Sequence, residues 1–392
     1  MPALALDWLT TLVLLGAVQG FVLAVALATH RRNRTANRLL AVAVFAFSLQ
    51  MLSVVYHAVG FERVFPHFFG VAYPLPLLFG PLVLLYALTA SDRTRGLRRR
   101  DALHFVPFVA VVLWGLPVYA MSGAGKIALY EQLRAGLRPE SFAVVDTLKY
   151  VSGIAYSIVT ITALRHHRRR IEDSYSSLEH VNLRWLLVLT LAGAAIWGLA
   201  TAFHVLDLLR PPGPVVSEDS VVALGIAILV YGIGYMALRQ PEVFTVATGE
   251  WRVQRPTAES APPAGASPRY ERSGLGEREA AALEARLLDL MDRDHPYRNS
   301  ELTLADLAER LQTSPHKLSE VLNAQLGQTF YDFVNGYRVR EVQRRLADDT
   351  TRNLTLLSLA LDAGFASKST FNAAFKKATG RTPSEWRTEG GR

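Results

Sequence analysis

Three polar residues near the end of the chain, Lys368, Ser369 and Asn372, could hydrogen-bond to the edges of DNA bases. Lysine can donate to guanine, asparagine can pair with adenine through two hydrogen bonds, and serine can donate or accept. A second set with similar chemistry lies about fifty residues earlier: His316, Ser319 and Glu320. A glutamate in such a set can accept from cytosine. These six residues are the candidates for reading base sequence.

The elements that must hold the later set are two short helices. Thr355 can cap the first helix, Gly364 can end it, and Ser367 can cap the second. The apolar faces at helical spacing are Leu356, Leu359, Ala360 and Ala363 in the first helix, and Phe371, Ala374 and Phe375 in the second. Two helices around a tight turn, with a small polar face left outside, form the layout that places a helix in a DNA major groove.

The earlier set has the same layout. Thr303 with Asp306 resembles a capping box, and Ser314 followed by Pro315 is a strong helix start. An apolar pattern over residues 331–347 predicts a helix about 25 Å long between the two units. We expect it to hold two reading helices about one DNA turn apart, roughly 34 Å.

A local basic patch could contact phosphates. From residue 276 onward Lys+Arg and Asp+Glu are equal in number, but residues 338–387 carry ten basic and five acidic residues. Phosphate contacts position a protein on DNA without specifying sequence. The candidates for this role are Arg338, Arg344, Arg345, Lys376 and Lys377.

The stretch from about Leu302 to Arg387 resembles the tandem helix-turn-helix domain of AraC-type transcription regulators. The residues that carry the resemblance are Tyr337, Arg338, Leu346, Ala360, Gly364, Phe365, Ser367, Ser369, Phe371, Phe375, Lys376, Gly380, Thr382 and Pro383. Gln312, where a small residue is usual, and Leu359, in place of isoleucine, depart from the pattern. The resemblance implies double-stranded DNA as a partner, with RNA polymerase as a further partner. A second copy of the chain is another candidate partner.

Seven apolar stretches of about 20 residues, the length that crosses a bilayer as a helix, precede this domain. They cover approximately residues 8–28, 39–59, 68–90, 102–121, 142–164, 185–208 and 220–238. The loops after the first, third and fifth stretches hold most of the upstream Lys and Arg. By the positive-inside rule these loops face the cytoplasm, so the N-terminus is outside and the C-terminus inside. We expect a multi-pass protein of the bacterial inner membrane.

Six ionisable residues fall near the outer ends of the predicted spans: His57, His67, Asp146, Lys149, His204 and Asp207. Charged groups at membrane depth are costly and often mark sites. They could line a ligand pocket for a small molecule or an envelope signal, with Asp146 and Lys149 as its polar core. The alternative, which the sequence favours, is that they are the wet ends of helices, where polar side chains reach headgroups or water.

The predicted architecture is therefore all-α. A seven-helix transmembrane bundle (residues 1–240) and a flexible linker (241–275, rich in Pro, Ala, Ser and Gly) precede a cytoplasmic tandem helix-turn-helix domain (276–392, with units at about 302–323 and 355–378). An amphipathic helix at 277–293 could pack on that domain or on a second copy. Gly16 and Gly20 form a GxxxG that could mark internal packing or a dimer face.

Composition and motifs restrict the function classes. The chain has no cysteine, which excludes disulfides, zinc fingers and thiol catalysis. We find no nucleotide-binding glycine loop, metal-ligand spacing or nucleophile–base pattern, so we expect no enzyme activity, metal or cofactor. The main expectation is a membrane-tethered, sequence-specific transcription regulator. The alternatives are a membrane transporter or receptor with a regulatory DNA-binding tail, and an interaction protein whose tandem domain no longer binds DNA.

Overall fold

The computed structural model describes residues 7–30, 33–92, 95–137, 139–177, 184–209, 219–239, 276–348 and 353–390. The described residues are helical, joined by turns and short 3₁₀ segments, with a single isolated β-bridge between Tyr175 and Thr303. The chain divides into two compact units. The first comprises residues 1–166 and 183–247, and the second comprises residues 167–182 and 248–392. The predicted linker, 241–275, lies outside the described residues.

The first unit is built from nine helices among its described residues. They are α1 (Trp8–Thr29), α2 (Arg34–Ala58), α3 (Pro76–Ser91), α4 (Val106–Trp114), α5 (Leu116–Tyr119), α6 (Gly123–Arg134), α7 (Glu140–Glu172), α8 (Arg184–Leu208) and α9 (Asp219–Arg239). The last six residues of α7 belong to the second unit by contact.

The core of the first unit forms where α1, α2, α3 and α9 pack side by side. Small residues on α1 allow close approach. A Cβ on Gly20 would collide with the Ser48 hydroxyl of α2 and lie 3.2 Å from Val230 of α9. A Cβ on Gly16 would lie 3.2 Å from the Cβ of Ala227. The GxxxG therefore packs inside the chain, which is the first of the two roles considered for it.

Among the described residues, four helices are long and apolar enough to cross a membrane: Trp8–Thr29, Arg34–Ala58, Glu140–Glu172 and Trp185–Leu206. Shorter apolar helices, Pro76–Ser91 and Val222–Met236, occupy the predicted third and seventh spans. The predicted fourth span is divided into a 3₁₀ segment (Arg99–Phe105), α4 and α5. Pro107 and Pro117 each sit in the first turn of a short helix because proline lacks the N–H that a helix interior needs. The count of seven spans is not confirmed.

Apolar side chains cover the outer surfaces of the long helices in the first unit. On α1, Leu15, Val18, Val22 and Val25 recur at helical spacing and are each more than half exposed. On α7, Val144, Val151 and Ile158 are exposed to a similar extent. A stripe of this kind is unfavourable in water and favourable in hydrocarbon.

The second unit contains seven further helices among its described residues. They are α10 (Glu277–Asp294), α11 (Leu304–Arg310), α12 (Pro315–Ala324), α13 (Phe330–Leu346), α14 (Leu356–Asp362), α15 (Lys368–Thr379) and α16 (Pro383–Gly390). They enclose two small cores that share α13. Residues from Phe330 to Tyr337 of α13 complete the first core, and Val339 and Val342 belong to the second.

Helix α10 packs on its own unit. Its apolar face, formed by Ala280, Leu283, Leu287, Leu290 and Met291, is buried in the first of the two cores. Packing on the domain, rather than on a second copy, is thus the role that the structure gives to this amphipathic helix.

Candidate functional site

The second unit presents two helix-turn-helix pairs whose helices begin where the sequence predicts. At the four starts, a Thr or Ser side chain accepts a hydrogen bond from the backbone N–H three residues later. Thr303 with Asp306 forms the complete capping box, with both reciprocal hydrogen bonds. Capping fixes the start of the second helix of each pair, α12 and α15, and so sets which residues face outward.

Both turns contain a residue with positive φ at the equivalent place, but the residue types differ. Gly364 has φ +98° in the second turn, and Gln312 has φ +52° at the equivalent place in the first. Positive φ costs an ordinary L-residue energy because its Cβ approaches the following carbonyl. Gln312, noted in the sequence as a departure from the family pattern, therefore occupies a position that favours glycine.

The base-reading candidates lie on the outer faces of α12 and α15. Lys368, Ser369 and Asn372 are exposed on α15, and His316 is exposed on α12. Ser319 and Glu320 are half-buried. Two hydroxyls already have partners: Ser369 bonds Ser367 at 2.9 Å, and Ser319 accepts from the Asn323 amide at 3.3 Å. Lys368, Asn372 and His316 are therefore the most accessible of the six.

Arg338 is not available for phosphate contact, which corrects the sequence-based assignment. Its side chain is 0% exposed, at the point of α13 where the two cores meet. A guanidinium that makes its hydrogen bonds inside the protein cannot reach a DNA backbone unless the fold opens. Burial lowers its pKa to about 10, so it remains a cation at neutral pH.

Arg344 and Arg345 are organised by a buried carboxylate that the sequence analysis did not single out. Glu341 is 3% exposed and accepts from Arg298 at 2.7 Å, from Arg345 at 2.9 Å and from Arg344. Arg345 also pairs with Asp362 at 3.3 Å, which gives it a structural role. Arg344 keeps an exposed side chain. The spacing of three and four residues from Glu341 to these arginines was the available signal.

Lys376 and Lys377 are exposed near the end of α15. Lys377 pairs with Asp332 at 2.6 Å, and its side chain remains 69% exposed. Exposed ion pairs contribute little free energy, so this pair can exchange for a phosphate at small cost. Arg344, Lys376 and Lys377 are thus the phosphate candidates that the structure leaves accessible.

A second site lies in the first unit, where a cavity of about 1200 Å³ collects residues from α2, α3, α7 and α8. Four of the six predicted pocket residues line it: His57, Asp146, Lys149 and His204. The structure thus brings together residues that lie up to 147 positions apart in the sequence. His67 lies outside this lining, and the side chain of Asp207 lies outside the described residues.

The polar centre of the cavity contains one more residue than the sequence predicts. Lys149 pairs with Asp146 at 2.9 Å, and its ammonium lies 3.0 Å from the centre of the Tyr73 ring. The Tyr73 hydroxyl donates to the same carboxylate at 2.8 Å. His204 lies on the ring of Tyr150, with 4.5 Å between centroids. Cationic, anionic and aromatic groups therefore face one space whose other walls are largely apolar.

Comparison with known proteins concerns the second unit. Residues 307–389 match the family model described as a helix-turn-helix domain. The C-terminal region of this chain is a helix-turn-helix domain. It is 30% identical over 95 residues to the uncharacterized HTH-type transcriptional regulator YtdP of Bacillus subtilis (strain 168). It is 32% identical over 85 residues to a putative AraC-like transcription regulator of Streptomyces lividans.

These similarities cover a limited part of each protein. The matches take in 24% and 22% of this chain, and 12% and 27% of the Bacillus and Streptomyces proteins respectively. No solved structure matches the chain.

Proposed function

We propose that this protein is a membrane-tethered, sequence-specific DNA-binding transcription regulator. The observation that carries the proposal is the pair of capped helix-turn-helix units in one domain, each with polar side chains on its outer face. The similarity of this region to two proteins named as transcriptional regulators supports it. Lys368, Asn372 and His316 contact base edges, with Ser369, Ser319 and Glu320 beside them. Arg344, Lys376 and Lys377 contact phosphates.

The first unit anchors the protein in the inner membrane of a bacterium. Four long apolar helices and the exposed apolar stripes on α1 and α7 support this location. With seven crossings, the arginine-rich loops face the cytoplasm and the N-terminus is outside. The helix-turn-helix domain then lies in the cytoplasm with the DNA. RNA polymerase is a further partner, as the resemblance to AraC-type regulators implies, and a second copy of the chain is another.

The cavity of the first unit receives the signal. Asp146 and Lys149 form its polar centre, and a bound molecule would compete with Tyr73 for both groups. Binding that favours one arrangement of the helices shifts the protein toward that arrangement by its difference in affinity. The signal is a small molecule or an envelope component that offers both polar and apolar surface.

A transporter with a regulatory DNA-binding tail is the second candidate. The size of the cavity and its charged lining favour it, since polar groups inside a bundle can form a substrate path. Transporter and regulator differ in turnover: a transporter accumulates substrate in vesicles, whereas a sensor binds a limited amount. Uptake measured in vesicles that contain the full chain separates the two.

Selection of DNA from a random-sequence duplex pool tests the proposal. The full chain, solubilised in detergent, should enrich a defined sequence. A Lys368→Ala/Asn372→Ala double variant, changed only at two exposed positions, should lose the enrichment while keeping the helical circular dichroism of the wild type. If the wild type enriches no sequence at low or moderate salt, the proposed function fails.

A further inference from the structure

The helix-turn-helix unit has a small docking site that is filled by a distant part of the chain. Residues 174–176 lie beside residues 302–304 in an isolated antiparallel bridge. The Ser176 N–H donates to the Leu302 carbonyl at 3.3 Å, and the Leu304 N–H donates to the Ser174 carbonyl at 3.0 Å. The docked segment therefore contacts the backbone at the start of the first helix-turn-helix pair.

Ser176 also completes the surroundings of Arg338. The Arg338 guanidinium donates to the Ser176 carbonyl at 3.0 Å and to the Ser176 hydroxyl at 3.1 Å. The Asn335 amide donates to the same carbonyl at 3.2 Å. Both Ser176 and Arg338 are 0% exposed. The Arg338 side chain donates to five acceptors, and two of them thus come from outside the helix-turn-helix fold.

The five acceptors are all neutral oxygens. The other three are the carbonyls of Tyr297 and Asn299 and the side-chain oxygen of Asn335. A buried cation needs its hydrogen bonds satisfied, and neutral acceptors hold it less strongly than a carboxylate does. When Ser176 leaves, water can replace its two oxygens. The site is therefore suited to reversible docking rather than to permanent attachment.

The far side of Arg338 meets the second helix-turn-helix pair. The Tyr297 carbonyl that accepts from Arg338 lies against Gly364, where a Cβ would collide with it. The guanidinium also lies 5.9 Å from the centre of the Phe365 ring. Gly364 and Phe365 form the turn that precedes the reading helix α15. Ser176 is thus connected to that turn through two residues, Arg338 and Tyr297.

The position of the docked segment in the chain connects it to the cavity. Asp146 and Lys149, at the polar centre of the cavity, lie on α7, which ends at Glu172. Ser174 follows two residues later. A single helix thus leads from the residues proposed to meet the signal to within two residues of the segment that docks at Arg338.

We propose that residues 174–176 are a releasable docking peptide of the helix-turn-helix unit, through which the cavity controls DNA binding. The occupant is a segment of the same chain, and its receptor is formed by Arg338, Asn335 and the backbone of residues 302–304. The control of DNA binding rests on the proposed function; the docking does not.

A disulfide trap tests the docking. Tyr175 and Thr303 form a non-hydrogen-bonded antiparallel pair, for which the Cα separation is about 4.5 Å. That separation suits a disulfide. Because the native chain has no cysteine, a Tyr175→Cys/Thr303→Cys variant can form no other disulfide within one chain. A protease site placed within residues 241–275 separates the two positions after oxidation in native membranes.

Gel electrophoresis of the oxidised and cleaved protein, with and without reductant, distinguishes three results. Fragments that stay joined without reductant and separate when reductant is added support docking within one chain. Fragments that separate without reductant overturn the proposal. A covalent dimer before cleavage shows docking between copies and overturns the choice of occupant. Each single-cysteine variant is the control.

The control of DNA binding has two further measurements. Oxidised and reduced forms of the trapped variant should differ in affinity for the selected duplex by at least about 5-fold, the lower end of typical allosteric coupling. An Asp146→Ala/Lys149→Ala change should alter the rate of disulfide formation by a similar factor. Val144→Ala, an exposed change on the same helix, should leave that rate unaltered.

The outcomes separate the two proposals. If the wild-type chain selects no duplex, the proposed function fails and the control of DNA binding fails with it, while the trap still decides the docking. If DNA is selected but the oxidised and reduced forms bind it equally, the proposed function stands and the control is overturned. If the Asp146→Ala/Lys149→Ala change leaves the rate of disulfide formation unaltered, the proposed connection between the cavity and the docked segment is overturned.

Discussion

The Ser176 hydroxyl accepts a hydrogen bond from Arg338 and donates one to the Leu302 carbonyl at 2.7 Å. Ser176→Ala removes both bonds in a buried site. We expect it to lower the local stability of the second unit by about 1–3 kcal/mol, because a buried donor then lacks a partner. Hydrogen exchange of peptides that contain residues 297–304 and 335–342, in the full chain, measures the effect.

The neighbouring serine provides the matched control. The Ser177 hydroxyl is buried and makes no hydrogen bond with a described residue. Ser177→Ala should therefore leave exchange in the same peptides unchanged or slower. Equal effects of the two substitutions would mean that the hydrogen bonds to Ser176 are not what stabilises this site.

Arg338 illustrates what the sequence could not supply. An arginine in a basic stretch between two candidate reading units has the residue type for a phosphate contact. Its actual acceptors include Ser176, 162 positions earlier in the chain. No local pattern encodes such a pairing, and no sequence periodicity distinguishes a buried arginine from an exposed one. By contrast, the exposed positions of Lys368, Asn372 and Lys377 follow directly from helical spacing around the buried Phe371 and Phe375.

Asn372 and Lys377 should separate sequence reading from phosphate binding. Asn372→Ala should cost about 1–3 kcal/mol on the selected duplex and relax preference at one base pair. Lys377→Ala should weaken binding to all duplexes and reduce the salt slope by about 1. Titrations of selected and scrambled duplexes at several salt concentrations measure both effects. Indistinguishable behaviour of the two variants would remove the division of roles on α15.

At the scale of elements, substitutions in the two turns should change the free energy of unfolding in opposite directions. Gln312→Gly should raise stability by roughly 0.5–1 kcal/mol, because glycine removes the cost of positive φ at some cost in chain entropy. Gly364→Ala should lower it by more than about 2 kcal/mol, since the new Cβ meets the Tyr297 carbonyl and lies 2.8 Å from the Arg298 Cα.

Urea unfolding of the full chain, monitored by hydrogen exchange in α11, α12, α14 and α15, measures the stability of the two variants. Ala373→Gly, at an exposed position inside α15, controls for a general effect of glycine and should cost about 1 kcal/mol. A loss of stability in Gln312→Gly would show that the glutamine side chain contributes more than its backbone strain costs.

The elements were predictable where their signals are local. Thr303, Ser314, Thr355 and Ser367 cap the helices that the sequence assigned to them, because a cap depends on a few adjacent residues. The division of the predicted fourth span into short helices could not be predicted in the same way. Its composition is that of a membrane helix, but it contains Pro107 and Pro117. Whether proline bends or divides a helix depends on the neighbouring helices that resupply its hydrogen bonds.

At the scale of the whole molecule, the divided segment decides on which side the C-terminus lies in the proposed seven-span topology. If residues 102–121 do not cross the bilayer, the proposed number of crossings becomes even and the C-terminus changes side. Contacts within the first unit support the proposal that they cross. Arg63, after α2, pairs with Glu131 of α6 at 2.7 Å, and the Lys126 ammonium donates to the His67 carbonyl at 3.4 Å. The segments after α2 and after α5 therefore meet at one end of the first unit.

That meeting requires an even number of crossings between residues 63 and 126. In the proposed topology helix α3 supplies one crossing, and the divided segment then supplies the other, despite its break. We expect Gly136, in the turn after α6, to lie outside the cytoplasm, so an enzyme reporter that is active only outside should be active when inserted there. We expect Arg392 to lie in the cytoplasm, so a reporter that is active only in the cytoplasm should be active when fused after it. If the Gly136 insertion reports the cytoplasm, the divided segment does not cross, and the C-terminal fusion should then report the outside, away from any DNA.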